Sequence, residues 1–165
     1  MYCGDTSLWS GAMSSATLKF TNGSGLNVSL LSFSLAAFGT VWNALTGGSV
    51  LQVNNTSFYN SAVNYKAGPG SITSITSGSG LIATGIDVDG LGGPVAVIRS
   101  SSAGSQATIT KVGGGALTLN YCSLKDISGN TAAYGGTYAA RNSVDLGNNT
   151  NITFAKQPSG FMAFF

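Results

Sequence analysis

The sequence contains no histidine and no glutamate, and charged residues make up only 7% of its 165 positions. Without an imidazole, a serine or cysteine nucleophile lacks its usual general base, so the abundant serines read as turn formers rather than catalysts. Histidine-containing metal sites are excluded with it, and the two cysteines, Cys3 and Cys122, have no metal-ligand spacing. A disulfide between them stays open as an arrangement, but Cys122 falls at an inward-reading strand position and reads as a small core residue. The seven cations, Lys19, Lys66, Arg99, Lys111, Lys125, Arg141 and Lys156, form no run, and the net charge is only +2. The usual footprint of nucleic-acid binding is therefore missing. No long apolar run exists either: LNVSLLSFSLAAFGTVWNAL is interrupted by Ser, Asn and Gly and has no basic leader. It fits neither a membrane span nor a signal peptide.

What is present is a hydrophobic fraction of 43%, spread in short β-like pulses and punctuated by 24 glycines. Such a chain folds rather than remaining disordered, and its length suits one domain burying about 70% of its unfolded surface. Hydroxyls and amides take the surface positions that Lys and Glu normally fill. A surface with so little repulsive charge suits close packing against neighbouring subunits.

The chain also contains itself twice. Residues 16 to 34 run without a gap against 107 to 125, with Ala16, Thr17, Gly23, Leu26 and Ser32 meeting Ala107, Thr108, Gly114, Leu117 and Ser123. AAFGTVWNA then faces AAYGGTYAA, so that Trp42 meets Tyr138, and SVLQVNNTSF faces SVDLGNNTNITF. The copies span 8–58 and 99–154 of a single domain, 1–165, with 67–80 as the least constrained, linking segment. Within them a smaller unit recurs: Leu26, Val28, Leu31 and Phe33; Leu51, Val53, Thr56 and Phe58; Leu117, Leu119, Cys122 and Leu124. The spacing of two, three and two keeps apolar residues on one side while the chain turns a corner, placed at Ser29, Asn54 and Asn120. Steps of roughly 22 residues carrying strand, corner and strand predict an all-β chain folded as a parallel β-helix, or β-solenoid. Two related jelly-roll-like halves of a β-sandwich are the alternative. Strands are expected near 16–20, 26–35, 49–58, 72–76, 81–88, 95–99, 107–111, 117–127 and 150–154, and at most one short helical turn over 36–44.

The stretch from Ile86 to Phe154 resembles a C-terminal module of tailed-bacteriophage virion proteins. Arg99, Ser100, Ser101, Ala103, Gly104, Gln106, Ala107 and Thr108 fit its Arg-Ser-Ser-x-Ala-Gly-x-Gln-Ala-Thr element. Tyr121, Asp126, Gly135, Gly136, Tyr138, Ala140, Gly147, Asn148, Asn149, Thr150 and Phe154 fit the later ones. The chain departs from the module at Tyr138, where the family has Trp, and at Asn151 and Ile152, where it has Gly-Trp; Trp42 keeps the aromatic in the first copy. The resemblance covers under half of the chain. It implies a β-helical part of a virion, as head decoration (cement), tail fibre or spike, with a homotrimer in contact with a major capsid or tail protein as the expected assembly.

Catalytic and binding expectations are few. Asp87 and Asp89 lie two apart and so on one face of a strand, with Arg99 as a neighbour on the next coil; paired carboxylates of this kind serve glycosidases and Ca²⁺ sites. Alternation with Ile86 and Val88 equally makes this the wet side of a strand, and Asp5, Asp126 and Asp145 are dispersed. No catalytic, cofactor or metal residue is assigned. Trp9, Trp42, Tyr59, Tyr65, Tyr134 and Tyr138 would offer stacking platforms to a host glycan if exposed beside a groove. The expectation is a non-enzymatic virion structural protein without cofactors, nucleic acid or membrane insertion, with a glycan- or receptor-binding module as the alternative. The N-terminus begins partway through a repeat, which calls for a cap or a partner. The GFMAFF tail, with Phe161, Met162, Phe164 and Phe165, is expected to dock on a neighbouring subunit or cap the solenoid.

Overall fold

A computed structural model describes residues 17–21, 27–31, 39–54, 64–133 and 135–155. Cys3, Asp5, Trp9, Tyr59, Tyr134, Lys156 and the aromatic tail lie outside the described residues, as does the 36–38 part of the expected helical turn. Its remainder, 40–44, is a strand, and no helix occurs among the described residues.

In chain order the strands are β1 (Thr17–Thr21), β2 (Asn27–Leu31), β3 (Thr40–Ala44), β4 (Val50–Asn54), β5 (Asn64–Ala67), β6 (Ile72–Ile75), β7 (Gly80–Ala83) and β8 (Gly85–Val88). They continue with β9 (Ala96–Ser100), β10 (Ala107–Lys111), β11 (Leu117–Asn120), β12 (Cys122–Lys125), β13 (Ile127–Gly129), β14 (Tyr138–Arg141), β15 (Val144–Asp145) and β16 (Thr153–Phe154). The first face stacks β1-β3-β5-β8 and passes through an Asp89–Asn120 bridge to β11-β14-β16. The second face is the six-stranded ladder β2-β4-β6-β9-β12-β15, and the third is β7-β10-β13. Every pairing is parallel between strands one coil apart. That pattern is a β-solenoid, and it rules out the jelly-roll alternative, whose neighbouring strands would run antiparallel.

The core follows from alternation. Inward residues stack in columns, Val41–Tyr65–Ile86 on the first face and Leu51–Thr73–Ile98–Leu124 on the second. All of these are buried, each large apolar member contributing about 1.5–3 kcal/mol relative to exposure. A polar pocket interrupts this core. The Asn43 amide donates to Ile72 O and Thr73 Oγ1, both at 3.0 Å, and Thr73 Oγ1 also bonds the Tyr65 hydroxyl. Burial pushes the Tyr65 phenol up to about 12 against the partial relief of its Thr73 and Asn43 bonds.

Corners differ between the two ends. Early coils turn through four-residue loops such as Gly68–Ser71, closed by Ser71 N–H on Gly68 O at 3.2 Å. Later coils turn on single left-handed residues: Tyr121 (φ 46°) and Asp126 (φ 57°), with Asn142 (φ 49°) and Asn148 (φ 54°) in the coil that follows. The expected corners are thereby corrected. Ser29 lies within β2 opposite Gln52, Asn54 ends β4, and Asn120 ends β11, one residue before the true corner. The expected long strands 81–88 and 117–127 break at Thr84, Tyr121 and Asp126. Within the segment 67–80, the expected strand near 72–76 is β6, which lies in the middle of the six-stranded ladder.

The two sequence copies do not occupy equivalent faces. β1 belongs to the first face whereas its sequence counterpart β10 belongs to the third, and Leu51 lies on the second face whereas Leu117 lies on the first. Each corner of a three-faced coil presents the same apolar-polar-apolar spacing, so a sequence match can slip by one face without losing its apolar register.

Candidate functional site

Outward residues of the first face form two polar columns. One reads Thr17, Thr40, Asn64, Gly85; the other reads Lys19, Trp42, Lys66, Asp87. The Asp89–Asn120 bridge carries the alternation into β11 and places Thr118 beside Asp87. Lys19 Nζ lies 3.8 Å from the Trp42 ring centroid and Lys66 Nζ lies 5.4 Å from it, both within cation–π range. The flanking strands β1 and β5 thus bring an ammonium to Trp42 from either side. Lys66 Nζ also pairs with Asp87 Oδ2 at 3.2 Å, with the two side chains 43% and 59% exposed. Solvent screening leaves such a pair worth about 0–1 kcal/mol, so its role is to set side-chain positions.

These contacts give the two candidate carboxylates separate partners. Asp87 is engaged by Lys66, and Asp89 Oδ1 accepts the Leu91 N–H at 2.9 Å in the turn that follows β8. Arg99 does not join them: it stacks between Ser74 and Lys125 on the outer side of the second face. The described aromatics weighed as stacking platforms separate as well. Tyr65 is fully buried, and Tyr138, 3% exposed, points inward with its hydroxyl accepting the Lys111 N–H at 2.8 Å. Trp42, its expected equivalent, points outward in mid-strand, so the two aromatics sit on opposite sides of the wall. Trp42 Nε1 is itself shielded from solvent without a hydrogen-bond partner.

What the first face does assemble is a groove of about 460 Å³. The column of Thr40 and Asn64 falls away at Gly85 and Ala116, which have little or no side chain. A Cβ at Gly85 would meet Asn64 Oδ1 at 2.1 Å, so glycine here lets the Asn64 amide lie across the groove floor. Lys66, Asp87 and Thr118 line it from the second column, and Lys111 reaches it from the end of β10. The Lys111 ammonium is fixed by donating to Gly114 O at 2.5 Å. Asn64, Gly85, Lys111 and Thr118 carried no signal in the sequence as a group; Asn64 and Gly85 meet because residues 21 apart stack in register, and Thr118 and Lys111 join them from the following coil and the neighbouring face.

Cys122 is buried, with its N–H on Ser143 Oγ at 3.1 Å and its Sγ 3.4 Å from the same oxygen. Burial pushes its thiol pKa up, against a smaller downward pull from Ser143. No group of three or more metal-ligating side chains occurs among the described residues, and no described helix is long and apolar enough to cross a membrane.

Fold and site together define a three-faced parallel β-solenoid bearing a groove on one outer sheet. No protein-family model, curated protein or solved structure matches the chain.

Proposed function

We propose that this chain is a non-enzymatic structural protein of a bacteriophage virion, a head-decoration (cement) or fibre component that works through contacts with copies of itself, as a trimer, and with a capsid or tail protein. The observation that carries this reading is the last described coil. Among the described strands β15 and β16 are the outermost members of their ladders, pairing with β12 and β14 and forming an edge of the described coil. Beside that edge Val144 and Leu146 are each 50% exposed. Open strand edges with apolar neighbours are pairing surfaces. A surface on which Lys66–Asp87 is the one ion pair among the described residues opposes close approach only weakly. The separate partners of Asp87 and Asp89, and the place of Arg99 on another face, support a scaffold over a hydrolase. The phage assignment itself rests on the sequence resemblance between residues 86 and 154.

Sedimentation velocity on the full chain and on a variant lacking residues 161–165 tests the assembly. The full chain sediments as a trimer or larger species, and the truncated one as smaller species with an unchanged β circular-dichroism spectrum. A full chain that stays monomeric and ignores candidate capsid and tail partners overturns assembly. Peptides of this chain in the mass spectrum of purified particles from a phage carrying its gene test the virion assignment.

A further inference from the structure

We propose that the groove over Gly85 is a binding site for a carboxylated saccharide, a property separate from assembly and independent of it. Its volume of about 460 Å³ falls in the roughly 300–1,000 Å³ range of small-ligand sites. The depression exists because Gly85 and Ala116 interrupt a column of larger polar residues, and Thr40, Asn64, Asp87 and Thr118 line it from paired parallel strands.

The groups around it match vicinal hydroxyls. The Asn64 amide supplies both a donor and an acceptor, Thr40 and Thr118 supply hydroxyls, and the free lone pairs of the Asp87 carboxylate accept from sugar O–H groups. Asp87 also selects against phosphate-rich ligands, which would bring several negative charges onto its own. Lys111 supplies the recognition of charge. It forms no ion pair among the described residues, its ammonium spends one donor on Gly114 O, and its backbone N–H is tied to the Tyr138 hydroxyl. Two of its three N–H donors remain for a ligand carboxylate, and a charge-assisted bond from a group already held in place is the strongest single contact available here. The groove thus combines several neutral partners with one fixed, uncompensated cation, which is the complement of a polyhydroxylated ring bearing one carboxylate. Trp42 does not act as a stacking platform, because Lys19 and Lys66 flank its ring. Polar contacts without stacking give a weak site, with Kd on the order of 0.1–1 mM.

Uronic and sialic acids share this chemistry. Isothermal titration of the full-length protein with trigalacturonate, with 3′-sialyllactose and with neutral lactose distinguishes them. At least one acidic sugar is expected to bind tenfold or more tightly than lactose, and the one that does identifies the source. Lys111→Gln is expected to weaken that binding about tenfold, and Thr118→Phe, which fills the groove from the opposite wall, to abolish it. The circular-dichroism spectrum and melting temperature of both variants stay at wild-type values, so lost binding in a folded variant reports the site. Acidic sugars that bind no better than lactose overturn the proposal. So does binding that survives either substitution. Sugar binding and sedimentation are read independently, so a monomer that binds the sugar, or a trimer that does not, assigns each failure to its own proposal.

Discussion

Gly90→Ala is expected to be among the most damaging single-methyl changes in this protein. Gly90 sits just past β8, where the first face passes from one coil to the next. A Cβ there would lie 2.2 Å from Tyr121 O, 2.7 Å from Ala96 N and 3.0 Å from Val95 Cα. Ordinary contact begins near 3.4 Å, so backbone must move by more than 1 Å, and no flexible side chain can absorb the shift. The atoms that must move hold two hydrogen bonds, Gly90 N–H to Asn120 O at 3.3 Å and Ala96 N–H to Tyr121 O at 3.1 Å. Overpacking of this kind costs about 1–3 kcal/mol, and each displaced bond adds about 1 kcal/mol. The sum is about 3–5 kcal/mol, or a fall in melting temperature of roughly 6–20 °C for a chain of this size. Gly92→Ala, two residues on, is the control. Its φ is +87° with nothing within 4 Å of a Cβ, so it bears only the left-handed penalty of about 1–2 kcal/mol. Urea denaturation and thermal melts followed by circular dichroism compare the two. If Gly90→Ala melts within 2–3 °C of wild type, or above Gly92→Ala, the close approach of the two coils at Tyr121 is wrong.

The interior polar cluster and the buried thiol give two further expectations. Tyr65 is protonated in the folded state up to about pH 12, against 10.0 for an ordinary phenol side chain. Above pH 10 the unfolded chain releases this proton and the folded chain does not, so stability is fully present below pH 10 and falls as pH rises through 12, by on the order of 2–3 kcal/mol. Tyr65→Phe removes this loss, costs about 1–2 kcal/mol at neutral pH, and removes from the absorbance near 295 nm the phenolate that forms near pH 12; an unchanged alkaline titration would contradict a buried Tyr65. In a Cys3→Ser background, Cys122 is expected to react with a thiol reagent only as fast as the protein unfolds, and prompt stoichiometric labelling in native buffer would place it at the surface instead.

Much of the secondary structure was legible because it is local. β10 over Ala107–Lys111 and β6 over Ile72–Ile75 are apolar pulses between glycine turns, and the same pulses recurring at about one coil's length made the solenoid readable. β3, β5, β14 and β15 were not. NYKA and YAAR have too little alternation to identify themselves, and their strand form comes from being laid between neighbours, as Asn64–Ala67 is between Thr40–Asn43 and Gly85–Val88. Asp87 faces outward on β8 as its alternation with Ile86 and Val88 implied, and Asp89 lies just past the strand, yet nothing local distinguished the partner of Asp87, Lys66, from six other cations.

The sequence by itself determined that the chain coils, because spacing and glycine punctuation act through backbone sterics and side-chain alternation within a few residues. Only the tertiary structure decided how the coils are indexed on three faces, which corner residue turns left-handed, and what lies beside what. A groove built from Asn64, Gly85, Lys111 and Thr118 is a property of register, and in a parallel solenoid register is fixed by how each coil packs on the next rather than by any segment alone.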